Sequence, residues 1–279
     1  MTVAAIAYAE LTPAARVGTA RLLALNPDYA RWIAHYPPGQ QQEVAFLEAA
    51  RWPDAIKHEP GYRNDGERPH GLAAGRNIGY ADHLQHRYWH FIDQPLAIEG
   101  ADAPPAAQPN ALTQIALFRA TLRSAAASDA LKSYDLVWLL HLVADVHQPL
   151  HAVTRFSPAQ PRGDAGGNRV RLCAPPCRLE LHAFWDEALG KSRKPEAALR
   201  LAARLPAAPR ALGAQSDPAV WARESFELAR SAVYVDPIGD GAGPYPLTPA
   251  YKARARRIAR ERIALAGARL ARLLNDAFH

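Results

Sequence analysis

His141-Leu142-Val143-Ala144-Asp145-Val146-His147-Gln148-Pro149-Leu150-His151 is the stretch that decides how this chain reads. His141 and Asp145 stand at i and i+4, on one face of a helix that must stop before Pro149. His182-Ala183-Phe184-Trp185-Asp186 repeats the same pairing further along. An imidazole and a carboxylate so placed can close on one divalent ion without moving the backbone. Two such pairs, with His151 just past the proline, point to a polynuclear zinc site carried on helices.

The rest of the chain agrees with a helical frame. It has 279 residues, of which 49% are hydrophobic, enough for one large domain with a full core. Ala and Leu dominate over Val and Ile, which favours helix over sheet. Thr12-Pro13 reads as a cap and first turn of a helix to about Leu25, and a second helix is expected over Gln41 to Arg51. Residues from Pro53 to Gly79 are rich in Gly, Pro, Asn and charge and should be irregular. Asn110 caps a helix to about Ala127, and Asp129 is read as the cap of the helix carrying His141. Asn168-Arg-Val-Arg-Leu172 and Arg178-Leu-Glu-Leu181 alternate in polarity around Cys173-Ala-Pro-Pro-Cys177, a short β-hairpin signal. Helices from about Pro195 and Pro218 follow, and a long one from Thr248 to Ala277. The expected fold is mainly α: a single compact helical domain over 1-279 with a short β-hairpin near the metal site.

Several function classes are excluded or weakened. No apolar run approaches the roughly 20 residues that span a bilayer, so no stable membrane association is expected. Met1-Thr-Val-Ala-Ala lacks the basic start and apolar core of a signal peptide. The formal charge of +6 suits a polyanionic substrate, although Arg-rich chains are also basic for unrelated reasons. Cys173 and Cys177, the only cysteines, can bridge a turn in an oxidising compartment or serve as zinc ligands.

The order of these features resembles the zinc-dependent single-strand nucleases of the S-one/P-one type, which are distantly similar to zinc phospholipases C. The residues that carry the resemblance are the His141–His151 motif, the Gly163-Asp-Ala-Gly-Gly-Asn168 loop and the His182/Asp186 pair. Trp52-Pro-Asp54-Ala-Ile-Lys57, Trp89-His90-Phe91-Ile-Asp93 and Ala266-Gly-Ala-Arg-Leu-Ala-Arg-Leu-Leu-Asn275 extend it over most of the chain. The resemblance implies Asp54, His90, His141 and Asp145 around one Zn²⁺, and His151, His182 and Asp186 around a second. Asp145 would also reach a third ion. It further implies that Asp54 orients or deprotonates the attacking water, that Lys57 contacts the phosphoryl group, and that Asn168 stabilises developing charge. Phe91 would stack on a nucleobase, Asp93 would bond its edge, and backbone at Gly166 would line the same pocket. The implied substrates are single-stranded RNA and DNA, cut to 5′-phosphorylated products, with nucleotides as further substrates through a 3′-nucleotidase activity. A monomer in the periplasm or outside the cell is expected.

The family's mature chain opens with a Trp whose amino group binds the third ion, followed by a Gly-His. Thr2 to Pro13 match the segment directly after that Gly-His, and neither ligand is present here. The expectation is that Met1 is an internal start, with two zinc sites well held and the third lacking its ligands. Two alternatives stand beside the nuclease reading: a phospholipase C-like phosphodiesterase, and an inactive zinc-stabilised nucleic-acid binder. Phe91 with Asp93 argues against the first, because a lipid headgroup offers no base edge.

Other residues have plainer expected roles. His147 falls two residues after Asp145 and should be packed and hydrogen-bonded rather than ligating. His58, His70, His83 and His86 lie in a segment longer than in compact family members, with surface or structural roles. Lys252, Arg254, Arg256, Arg257, Arg260 and Arg262 read as the solvated surface of the last helix.

Overall fold

The computed structural model describes residues 1–279, apart from the side chain of Leu72, and is mostly helical. The helices are α1 (Thr2–Ala9), α2 (Pro13–Leu23), α3 (Tyr29–Ile33), α4 (Pro38–Ala49), α5 (Trp52–Ala55), α6 (Ala111–Arg123) and α7 (Asp129–Asp145). They continue as α8 (Leu181–Asp186), α9 (Pro195–Ala202), α10 (Arg210–Gly213), α11 (Pro218–Leu228) and α12 (Pro249–Asn275). Caps fix several of these ends. The Thr12 hydroxyl accepts from the Ala15 amide ahead of Pro13, and Asn110 and Thr113 form a reciprocal capping box at α6. At α7 the cap is Ser128, not Asp129, which instead sits in the first turn where its charge favours the helix dipole.

Helix α7 is the axis of the molecule. From Ser133 to Val143 every residue is buried, because α2, α4, α5, α6 and α12 surround it. A helix apolar on all sides belongs in the centre of a fold. Helices α1 and α12 pack unusually close: a Cβ on Gly267 would meet Ile6 Cγ2 at 2.5 Å, so only glycine allows this approach. One hydrophobic core gathers around α7. A second contains Leu150, Val153, Val170, Leu181, Trp185 and Tyr251.

The segment 59–86 is irregular, as its composition suggests, but well anchored. Trp52 meets Tyr62, Tyr80 and Tyr134 edge-on at 5.7, 5.8 and 6.0 Å. His86 is fully buried, stacks on Trp89 at 3.5 Å, and bonds Asp82 at 2.9 Å.

The sheet is not where the alternation pointed. Between Asn168 and Leu181 the hairpin shrinks to one antiparallel bridge, Arg171 with Glu180, closed by the Cys173–Cys177 disulfide. The Cys173–Cys177 turn closes one end and α8 begins at Leu181 at the other, which leaves no room for a longer ladder. The two-stranded sheet instead pairs β1 (Pro95–Ala97) with β2 (Thr154–Phe156) in parallel, Pro95 opposite Thr154. It ties the chain after His90 to the chain after His151. Among the described residues, no helix is long and apolar enough to cross a membrane.

Candidate metal centre

Each half of the site grows from one of the two cores. Around the first, α5 supplies Asp54, the turn after Trp89 supplies His90, and the last turns of α7 supply His141 and Asp145. Around the second, the turn at Pro149–Ala152 supplies His151 and α8 supplies His182 and Asp186. The structure brings one donor atom from each of Asp54, His90 and His141 within 4.8 Å of the others, and does the same for His151, His182 and Asp186.

Asp145 lies between the groups. Its Oδ2 is 3.0 Å from His141 Nε2, 3.2 Å from His90 Nδ1 and 3.8 Å from His151 Nδ1. Asp54 Oδ1 is 3.8 Å from the same two nitrogens of His90 and His141. In the second group Asp186 stands 3.5 Å from both His151 Nε2 and His182 Nε2.

The backbone sets how the rings face. His141 Nδ1 donates to the Ala50 carbonyl at 2.8 Å, His151 Nδ1 to that of His90 at 2.9 Å, and His182 Nδ1 to that of Gly166 at 2.7 Å. With a proton held on Nδ1, each Nε2 is turned toward the carboxylates and offers them a proton when the ring is charged, or a cation its lone pair when the ring is neutral. Such a carbonyl behind the ring is the usual support of a ligating histidine. His90 faces His141 nitrogen to nitrogen at 2.9 Å, while its other nitrogen is buried with no hydrogen-bond partner among the described residues. Whichever nitrogen carries the His90 proton, one is left unsatisfied, and a cation between the rings would use the inward lone pair.

Electrostatics follow the same plan. Burial opposes charge on Asp145, and desolvation at the mouth of the donor cluster opposes it on the more exposed Asp54, yet neighbouring histidines outweigh both and hold the two carboxyls well below their ordinary range. Lys57, 2.7 Å from Asp54, adds to this effect. Burial and then Lys57 push His90 down to about 4. Burial also disfavours charged His151, but Asp145 and Asp186 overcome it and raise the ring to about 9. His182 is lowered by burial and by the adjacent His151. A dense set of ionised carboxylates facing imidazoles is a poor core and a good cation trap.

Beside the second group opens a cavity of about 550 Å³, lined among others by Phe91, Asp93, Gly166, Asn168 and His182. The β1–β2 pairing sets Asp93 against Thr154, whose hydroxyl donates to its carboxylate. Burial raises the Asp93 carboxyl above its ordinary value. Asn168 is exposed at the cavity wall, with Nδ2 bonded to the Ala165 carbonyl at 2.8 Å.

A family model described as S1/P1 Nuclease matches residues 1–279, the whole chain. The chain belongs to the S1/P1 nuclease family. A comparison with curated proteins found no match. Membership makes the protein a nuclease, a hydrolase acting on nucleic acids. The disulfide is consistent with an extracellular location.

Some features of this nuclease went unseen in its sequence. Arg262 is buried rather than solvated: its Nε donates to the His147 carbonyl at 3.0 Å and its Nη1 pairs with Glu224 at 2.8 Å. Arg269 joins them, reaching Glu224 at 2.7 Å and His147 Nε2 at 2.9 Å. His147 is therefore packed and hydrogen-bonded away from both donor groups, as expected of it. Gln148 was also overlooked: its Nε2 holds Asp186 Oδ1 at 2.8 Å. Its place inside the His141–His151 stretch is the signal the sequence offers.

Proposed function

We propose that this nuclease holds two zinc ions and hydrolyses phosphodiesters of single-stranded RNA and DNA to 5′-phosphorylated products, with 3′-nucleotidase activity from the same pocket. The observation that carries the reading is the join at Asp145 of two histidine–carboxylate groups, next to a cavity that contains Phe91 and Asp93. Asp54, His90, His141 and Asp145 would hold one ion, and His151, His182 and Asp186 the other. Neutral nitrogen and carboxylate donors with few competing thiols suit zinc. When bound, zinc supplies Lewis acidity toward water and phosphoryl oxygens.

The chain's own residues do the rest. Asp54 keeps 61% of its side-chain surface exposed, so its free oxygen can orient water or accept its proton. Lys57, reached from Asp54 across one helical turn, places an ammonium where a phosphoryl group gathers negative charge. Lys offers a point charge rather than the bidentate fork of Arg. Asn168 can turn its second amide hydrogen toward the same charge.

Phe91 offers a stacking face and Asp93 an acceptor for a base edge, with the glycine backbone at Gly166 leaving room beside them. Stacking on one ring requires a base that is splayed and unpaired, hence the preference for single strands. The test compares hydrolysis of single-stranded DNA, duplex DNA and phosphatidylcholine by the zinc-loaded protein, before and after chelation. Cleavage of the single strand alone, lost with chelator and regained with zinc, is expected. Equal cleavage of duplex, or hydrolysis of the lipid only, overturns the reading.

A further inference from the structure

The base cavity has a wall that its proposed use so far leaves idle. Arg68, Arg162 and Arg169 line it along with Phe91 and Asp93. Arg68 comes from the long segment between Asp54 and His90, whereas Arg162 and Arg169 flank the glycine loop that carries Gly166 and Asn168. Their environments differ from that of Arg87, whose guanidinium is committed to Gln85 and Glu67 at 3.0 and 3.1 Å.

Among the described residues, the guanidiniums of Arg68 and Arg162 have neither a hydrogen-bond nor an ion-pair partner. Arg169 spends only Nη1, on the Gly163 and Arg162 carbonyls at 2.8 and 3.3 Å, which fixes the group in place. Both Arg68 and Arg169 act electrostatically on Asp93 inside the cavity. Three cationic forks from two separate segments thus line one pocket whose interior carboxylate has one oxygen engaged by Thr154. A solvated surface explains each arginine singly. It does not explain their convergence on the rim of a nucleotide-sized cavity.

We infer that Arg68, Arg162 and Arg169 form a phosphate-binding rim that grips the 5′-phosphate of the nucleoside seated on Phe91, and so sets the preference of this enzyme for chain-internal nucleotides over 3′-mononucleotides. The inference rests on the base-pocket reading above and deepens it. A nucleoside whose 3′-phosphate points to the donor groups must direct its 5′ side away from them. Guanidinium forks match phosphate oxygens in geometry and charge.

The test uses the zinc-loaded protein and its Arg68→Gln/Arg162→Gln double variant, which leaves the Arg169 loop bonds intact. The probes are thymidine 3′-phosphorothioate with and without a 5′-phosphate, titrated by calorimetry, so that binding is read without turnover. The native protein should bind the 5′-phosphorylated probe about tenfold or more tightly than the other, as charge-assisted hydrogen bonds allow. The double variant should lose that advantage while binding the probe without 5′-phosphate as before. Phe91→Ala should weaken both probes alike. Equal affinities in the native protein, or an equal loss for both probes in the double variant, overturns the rim. If single-stranded DNA is not cleaved at all, the catalytic reading falls, and the calorimetric comparison still decides the rim.

Discussion

His182 and Gly166 are bound through a 2.7 Å hydrogen bond from ring Nδ1 to backbone carbonyl, and only glycine can occupy the second position. Gly166 has φ +59, and a Cβ there would lie 2.5 Å from the Leu150 carbonyl oxygen. The loop conformation that orients a donor histidine therefore depends on a missing side chain.

Gly166→Ala should displace that carbonyl and let the His182 ring turn. Zinc affinity at the second group should fall by about 10–100-fold, the usual cost of losing an outer partner. The first group should keep its affinity. Competition with a graded series of chelators resolves the two, and an unchanged pair of affinities would refute the dependence.

Asp145→Asn should affect both groups, because Asp145 Oδ2 lies within 3.8 Å of His90, His141 and His151. Zinc binding should weaken at both sites, by more than Gly166→Ala weakens one. Zinc titration of the variant reads this directly; loss at a single site would place Asp145 in one group only.

The sequence made the donor sets legible because helical spacing and proline punctuation fix them locally. His141 with Asp145 and His182 with Asp186 need only the i,i+4 geometry of a helix. Their meeting with Asp54 and His90 came from the family resemblance, since nothing local links residues so distant in sequence. What stayed hidden depends on tertiary packing. The β1–β2 pair joins two three-residue strands with no periodic signal. Arg262 looks like any other cation on a basic helix until Glu224 and the His147 carbonyl appear against it. The hairpin turn is where the alternation placed it, but the start of α8 at Leu181 leaves its ladder one bridge.

Asp135 gives the fold a predictable pH dependence. Burial raises its carboxyl to about 7, with Asn77 bonded at 2.8 Å opposing the shift. A raised folded pKa means that the native state binds the extra proton between about pH 4 and 7, so this group's favourable contribution is lost as pH rises through that window. Asp135→Asn keeps the shape without the charge. Its Tm should exceed the native value at pH 8, by an amount that grows from about pH 4 and levels off above pH 7. A Tm difference independent of pH would exclude this account.

Glu224 holds two buried guanidiniums beneath the end of α7. Removing it by Glu224→Ala leaves Arg262 and Arg269 without their carboxylate and should destabilise the protein by about 3 kcal/mol. Glu224→Gln should cost less, because its amide oxygen still accepts. Urea denaturation of both variants checks the order, and equal stability of Glu224→Ala and the native protein would contradict it.

Whether the two donor groups hold metal is read from a count of tightly bound zinc per chain, by elemental analysis after dialysis against metal-free buffer. Two ions are expected in the native protein and one in a His151→Ala/Asp186→Ala variant, with the remaining ion lost when His141→Ala is added. A native protein that retains no zinc, or a count unchanged by these substitutions, would contradict the account.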